Sequence, residues 1–202
     1  MTIMVLNENS LHELFKNSPV IRSRDFVKAG YSRIFLTRAV NAGWIKRIAP
    51  GLYSLPGFRQ SEHGDLALVE CKSPEVVICL LSALRFHELT TQSPFEVWIA
   101  IENKSYPPRI EYPKLKVFRF APASLEQGIE VHVIDGVPVR ITSIEKKIAD
   151  CFKFRNKVGV AVAMEALREA HASKRLNQNE VWKYAKIDRV ANIMLPYLEA
   201  IG

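Results

Sequence analysis

The sequence predicts an α+β chain with an N-terminal winged helix-turn-helix. A C-terminal domain with a small, mostly antiparallel sheet and several helices follows it. Three observations predict this. Residues 23–56 read as helix, tight turn, helix and a two-stranded ribbon. Residues 95–141 hold four segments rich in β-branched and aromatic side chains, two of them flanking the hairpin dipeptide Asp135-Gly136. From residue 142 onward the apolar residues recur at helical spacing.

In chain order, Ser10 and Glu13 form a capping box ahead of Leu11, Leu14 and Phe15, predicting a first helix that Ser18-Pro19 ends. Val20-Ile21 is a short strand against the ribbon. Ser23 caps a helix carrying Phe26 and Val27, and Gly30 ends it. Ser32 caps the next helix, which runs to about Ala42. Its residues Phe35, Leu36, Ala39 and Val40 face a core, while Ser32, Arg33, Thr37, Arg38 and Asn41 fall on the other side. All five can donate a hydrogen bond to a phosphate or a base edge, and none is acidic. Gly43 stops this helix. Trp44 to Ala49 and Leu52 to Leu55 are the two ribbon strands around Pro50-Gly51, with Lys46 and Arg47 placed near the ribbon tip. Helix-turn-helix plus basic ribbon is a module that sets its second helix in a DNA major groove.

The breaks at residues 57–61 place a domain boundary there, giving a DNA-binding domain at 1–58 and a second domain at 59–202. The second domain divides into a sheet-containing part, about 59–141, and a helical part, about 142–202. Glu62 to Lys72 reads as a helix. Ser73-Pro74 opens another through Val76, Val77, Cys79 and Leu84 to His87. Phe95 to Glu102 is a strand, and Tyr106-Pro107-Pro108 a loop. Leu115 to Phe120 is a strand with Lys116 and Arg119 assigned to one face. Ile129 to Ile134 and Val137 to Ile141 make the hairpin. Thr142 and Glu145 form a second capping box. Helices follow from Lys146 to Phe152 and from Val158 to Ala172, then one capped by Asn177 and a last one capped by Asp188 and kinked at Pro196.

Whole-chain composition, 48% hydrophobic and 24% charged over 202 residues, is that of a globular protein. No apolar run approaches the roughly 20 residues that span a bilayer. The N-terminal residues lack the basic and apolar regions of a secretory signal. Cys71, Cys79 and Cys151 have no CxxC spacing and read as reduced thiols in a cytoplasmic protein. The net charge is +7, and residues 1–60 carry nine basic against three acidic side chains, so +6 of it lies in the helix-turn-helix segment. That is the footprint of a nucleic-acid-binding module.

No catalytic constellation emerges. There is no Gly-rich phosphate loop and no spacing for a nucleophile triad. The five histidines, His12, His63, His87, His132 and His171, are scattered, with His87 reading as a structural residue at a helix end. The sequence therefore predicts no enzyme, no cofactor and no metal. Two other readings compete. One is a protein-interaction module without specific DNA binding. The other is a metal-dependent nuclease using Glu102 and Lys104 at the end of the 95–102 strand, which lacks the acidic partner such a site needs. Lys116 and Arg119, with Arg85 and Arg109, could also extend a DNA-contact surface.

Several stretches together resemble a known family. They are Trp44-Ile45-Lys46-Arg47 with Gly51-Leu52-Tyr53-Ser54-Leu55-Pro56, then Ser82-Ala83-Leu84 with His87-Glu88-Leu89-Thr90, then Val97-Trp98-Ile99-Ala100, and finally Val139 through Asp150. In this order, from about residue 10 to 200, the chain resembles the AbiEi antitoxin family of transcriptional regulators, found in type IV toxin–antitoxin and abortive-infection systems. Lys147 departs from the pattern, where a small polar residue such as Thr is expected. The resemblance implies an N-terminal winged helix-turn-helix that binds inverted repeats of operator DNA in its own promoter and represses the operon. It also implies a C-terminal domain that counters a nucleotidyltransferase-like toxin without requiring a stable complex. The implied DNA-binding residues are Ser32, Arg33, Thr37, Arg38, Asn41, Lys46 and Arg47, with Arg33 and Arg38 foremost because Arg suits bidentate contact with guanine. The chain is expected to be a monomer in solution, two copies meeting on an inverted repeat.

Overall fold

The computed structural model describes residues 8–16 and 18–201, with side chains from residue 11 onward. The fold is α+β, in two compact units. One comprises Met1–Lys72 with Val133–Pro138, the other Ser73–His132 with Val139–Gly202.

The first unit begins with α1 (Glu8–Phe15), already helical at Ser10. The Ser10 side chain of the expected capping box lies outside the described residues. Strand β1 (Val20–Arg22) leads into α2 (Ser23–Lys28). Arg22, not Ser23, is the N-cap of α2, and its Nε donates to Asp25 Oδ2 at 2.7 Å. The Ser23 backbone N–H instead donates to the Gly51 carbonyl at 2.8 Å. Gly30 ends α2 at φ +90°, a conformation that favours glycine. Ser32 then opens α3 (Arg33–Asn41) by accepting the Phe35 N–H at 3.1 Å, as its position predicts.

The ribbon strands are β2 (Lys46–Ala49) and β3 (Leu52–Ser54). The sheet order is β1-β3-β2, antiparallel throughout, so the short strand at Val20-Ile21 does pair with the ribbon. Helix α4 (Gly64–Lys72) completes the unit. Its core centres on Phe26, which is fully buried. The Phe26 ring meets Phe15, Tyr31 and Tyr53 edge-on, with centroids 6.0, 6.1 and 5.8 Å away. One side chain thereby ties α1, the α2–α3 turn and β3 to α2.

In the second unit the expected helix from Ser73 to His87 is instead β4 (Val77–Ile78) followed by α5 (Leu80–Phe86). Val76, Val77 and Ile78 are β-branched; Val77 pairs with β5 and Ile78 with both β5 and β8, which outweighs the Ser-Pro start signal. The remaining strands are β5 (Val97–Glu102), β6 (Leu115–Phe120), β7 (Ile129–Ile134) and β8 (Val137–Thr142), with the short α6 (Pro122–Leu125) between β6 and β7.

Their order is β6-β5-β4-β8-β7. The sheet is mixed, not mostly antiparallel: β5 runs parallel to β6 and β4 parallel to β8, while β4 and β5 are antiparallel. Asp135 and Gly136 have φ of +50° and +74°, the pair of positive values a type I′ hairpin turn requires. Lys116 and Arg119 differ by an odd number of positions, so they lie on opposite faces of β6 and not on one. Lys116 Nζ sits 4.1 Å from the Trp98 ring centroid, and Arg119 donates to the carbonyls of Asn103 and Ser105 at 2.7 and 2.8 Å.

Five helices follow, α7 (Ile144–Lys153), α8 (Arg155–Val158), α9 (Val160–Ala172), α10 (Gln178–Ile187) and α11 (Ala191–Glu199). Ser143, one residue beyond the expected Thr142, caps α7 by accepting the Lys146 N–H. Glu145 instead accepts the Asn177 N–H at 3.2 Å, and Asn177 caps α10 as expected. Asp188 closes α10 rather than opening α11, and Pro196 lies within α11. The second core joins α5, α7, α9 and α10 to one face of the sheet through Leu84, Trp98, Phe118, Ile148, Phe152, Leu167 and Val181. Among the described residues no helix is long and apolar enough to cross a membrane.

Because Phe26 joins four elements and is fully buried, Phe26→Ala is expected to cost about 3–5 kcal/mol in unfolding free energy, read from chemical denaturation of the chain.

Candidate nucleic-acid interface

Helix α3 has two chemically distinct sides. Phe35, Leu36 and Ala39 are buried, and Val40 packs partly buried against them. Ser32, Arg33, Thr37, Arg38 and Asn41 are exposed, as are Lys46 and Arg47 on β2. A helical period of 3.6 residues puts Arg33, Thr37, Arg38 and Asn41 on one surface of α3, with Ser32 at its N-terminal cap. Thr37 Oγ1 turns back to the Arg33 carbonyl at 3.3 Å, leaving its methyl outward.

The electrostatics of this surface are simple. Helix α3 contains no acidic residue. Among the described side chains of α1 and α2, the acids are engaged elsewhere: Glu13 pairs with Lys16, and Asp25 with Arg22. Arg33, Arg38, Lys46 and Arg47 form no ion pair with any described residue. Four cations are therefore held in solvent without internal neutralisation, which is favourable once an external polyanion is present.

The ribbon differs in one detail from the reading above. Its tip is Pro50-Gly51, and Gly51 has φ +77°. Lys46 and Arg47 pair with Ser54 and Tyr53, so they lie at the base of the ribbon, on the side that follows α3. The tip itself carries no charge, and a β-bulge between Arg47 and Ala49 separates it from the two basic residues.

The sequence reading passed over three residues on the exposed surface of this unit. Ile34 is 66% exposed on α3 beside the donors, where the helical period would have placed it. An isoleucine left in water on a polar helix face is suited to a thymine methyl group. Arg24 and Lys28 are exposed on α2 and form no ion pair among the described residues. The first helix of a helix-turn-helix crosses the backbone, so their signal was present in the spacing.

The other candidate sites fare differently. Glu102 and Lys104 are exposed at the end of β5. Among the described residues, neither joins a group of three potential metal ligands. The histidines are not all scattered: the fold brings His87 and His132 together with Glu130. Cys79 and Cys151 are buried thiols whose pKa values burial drives upward, so they are unreactive structural residues.

The densest titratable cluster lies in the second unit and is internal. Lys146 donates to Asp150 and to Asp188, and to Ser124 Oγ at 3.1 Å. Ser124 in turn donates to Asp188 Oδ1 at 2.6 Å, and Lys153 reaches the same oxygen at 2.9 Å. Burial alone would raise the Asp188 pKa, but Lys146 and its hydrogen bonds hold the carboxyl below its usual range. Asp150, whose second oxygen lacks a partner, is pushed up by burial to about 8. Lys147 is also fully buried, with a long 3.4 Å contact to the Ala83 carbonyl, and burial depresses its pKa well below the usual value. Lys146, Lys147 and Asp150 are fully buried and Asp188 nearly so, with only Lys153 partly exposed at the edge of the cluster.

Residues 9–56 hold a cap-delimited α3 with an exposed donor face, followed by a basic ribbon. A family model described as transcriptional regulator, AbiEi antitoxin, matches this stretch, residues 9–56. The chain is thus similar to antitoxin regulators of that family over its N-terminal quarter, and the match contains the ribbon motif that carried the resemblance. No curated protein matches the chain.

Two outcomes are expected for the internal network. Asp188→Ala leaves Lys146 and Lys153 without their shared carboxylate and should cost about 3–5 kcal/mol in equilibrium unfolding. Lys147→Met should instead stabilise the chain at pH 7, by at least about 1 kcal/mol. Burial makes Lys147 bind a proton less readily in the folded chain than in the unfolded one, so wild-type stability rises with pH toward 10.5. The advantage of Lys147→Met should therefore shrink as pH rises, which denaturation series at pH 7 and 10 would measure.

Proposed function

We propose that the chain is a DNA-binding transcriptional repressor and antitoxin of a type IV toxin–antitoxin system, acting in the cytoplasm without catalytic activity. The observation that carries this reading is the outward face of α3, donors and unpaired arginines with no acid among them. The family match over the same residues supports it.

In this reading residues 1–58 are a winged helix-turn-helix, with β2 and β3 as the wing. Helix α3 enters the major groove. Arg33 and Arg38 make bidentate contacts to guanine O6 and N7, and Asn41 reaches an adenine edge. Ile34 meets a thymine methyl. Ser32 and Thr37 contact phosphate or a base edge, with Lys46 and Arg47 on the flanking backbone from the base of the wing and Arg24 and Lys28 from α2. Two monomers would meet on an inverted repeat upstream of the chain's own operon. Residues 59–202 would counter a nucleotidyltransferase-like toxin.

The test is fluorescence anisotropy on the operon's upstream DNA against scrambled competitor. Arg33→Ala with Arg38→Ala should lower specific affinity by at least about 30-fold, from two contacts of 1–3 kcal/mol each. Lys46→Ala with Arg47→Ala should weaken binding to any DNA and reduce the slope of log affinity against log salt by about 1.8. No preference for the upstream DNA at low salt would overturn the repressor reading.

A further inference from the structure

We propose that His87, Glu130 and His132 form a binding site for a divalent transition-metal ion, with Zn²⁺ the cation that suits the ligand set. One ligating atom from each residue lies within 4.8 Å of the others. Glu130 and His132 are two positions apart on β7 and therefore share a face. The fold adds His87 from the C-cap of α5. Glu130 is exposed and His132 half-buried, so an ion can reach this face from solvent.

One observation points to a missing ligand, and a second shows the other two ligand groups already close together. His87 Nε2 is buried and has no hydrogen-bond partner, an arrangement that interiors otherwise avoid. His132 Nε2 and Glu130 Oε2 are already 2.9 Å apart. Adjacent ligands on a tetrahedral zinc with bonds of about 2.0–2.1 Å are separated by roughly 3.3 Å, so little movement is needed. A proton now holds that pair together, and a metal ion would displace it.

The surroundings fit as well. Phe86 packs against both imidazoles, with ring centroids 5.0 Å from His87 and 4.9 Å from His132, which limits their rotation. The nearby cations are Lys147 and Arg175. Burial disfavours charge on Lys147, and Arg175 is engaged with the His87 carbonyl at 2.6 Å. Two imidazoles and one carboxylate select Zn²⁺ over Mg²⁺ or Ca²⁺, which take oxygen ligands, and leave a fourth position for water. The ion would clip the end of α5 to the sheet edge. This site is independent of DNA binding.

The test uses the full chain, stripped with a chelator and titrated calorimetrically with Zn²⁺, with Mg²⁺ as control. One Zn²⁺ per chain and no Mg²⁺ binding are expected. Glu130→Gln and His132→Gln replace partly exposed side chains and should melt like the wild type without metal. Each should bind Zn²⁺ at least about tenfold more weakly, a loss already seen when a metal's outer-shell partners are changed. Substoichiometric Zn²⁺, or variants that bind as tightly as the wild type, would overturn the proposal. Visible absorption of the Co²⁺-loaded wild type gives a readout that needs no variant. The intense bands of four-coordinate nitrogen–oxygen ligation are expected. Weak octahedral bands, or a thiolate charge-transfer band, would overturn the proposal.

Discussion

The burial of Phe26 is the constraint on which the first unit depends. Its ring touches aromatic partners from α1, from the α2–α3 turn and from β3. Phe35, Leu36 and Ala39 of α3 join the same core, which turns the donor row outward. The same contact to Tyr53 fixes β3, and β3 fixes the strand that carries Lys46 and Arg47. A surface that displays cations thus rests on an apolar interaction made on the opposite side of the helix. The Ser23 N–H bond to Gly51 adds a second tie between α2 and the ribbon tip.

The second unit solves a different problem. Helix α7 turns two consecutive lysines into its core. Lys146 is matched by two carboxylates and a hydroxyl, so its charge survives burial. Lys147 has no carboxylate within ion-pair distance and loses its charge preference instead. Two neighbours on one helix thus reach opposite protonation behaviour through partners drawn from α6 and the end of α10 in one case and a lone carbonyl in the other. Burying Lys147 beside a lone carbonyl disfavours its charged form and carries a cost at neutral pH.

Local signals in the sequence identified what local physics decides. Ser32 and Gly43 delimit α3, Asn177 caps α10, and Asp135-Gly136 makes its hairpin, because each depends on residues within a few positions. Several of the failures involve partners distant in sequence. The Val77-Ile78 strand exists because β5 and β8 flank it, a fact invisible in a short apolar run. Asp188 reads as a helix cap until Ser124, Lys146 and Lys153 are seen around it. His87 and His132 read as scattered because β7 and α5 meet only in the fold. The assignment of Lys116 and Arg119 to one face is a different case, since the two-residue period of a strand already forbids it. For the DNA surface, the exposure of the donor row was legible from helical spacing, whereas the position of Lys46 and Arg47 at the ribbon base needed the strand register.

The claim at the centre of this account is that α3 reads guanine edges in the major groove. Methylation interference on the upstream DNA of the chain's own operon tests it most directly, because N7-methylguanine blocks that edge and leaves the phosphates intact. The account predicts interference at guanines in two half-sites whose centres lie about 10–10.5 base pairs, or a multiple, apart. Binding that N7 methylation does not disturb would contradict it.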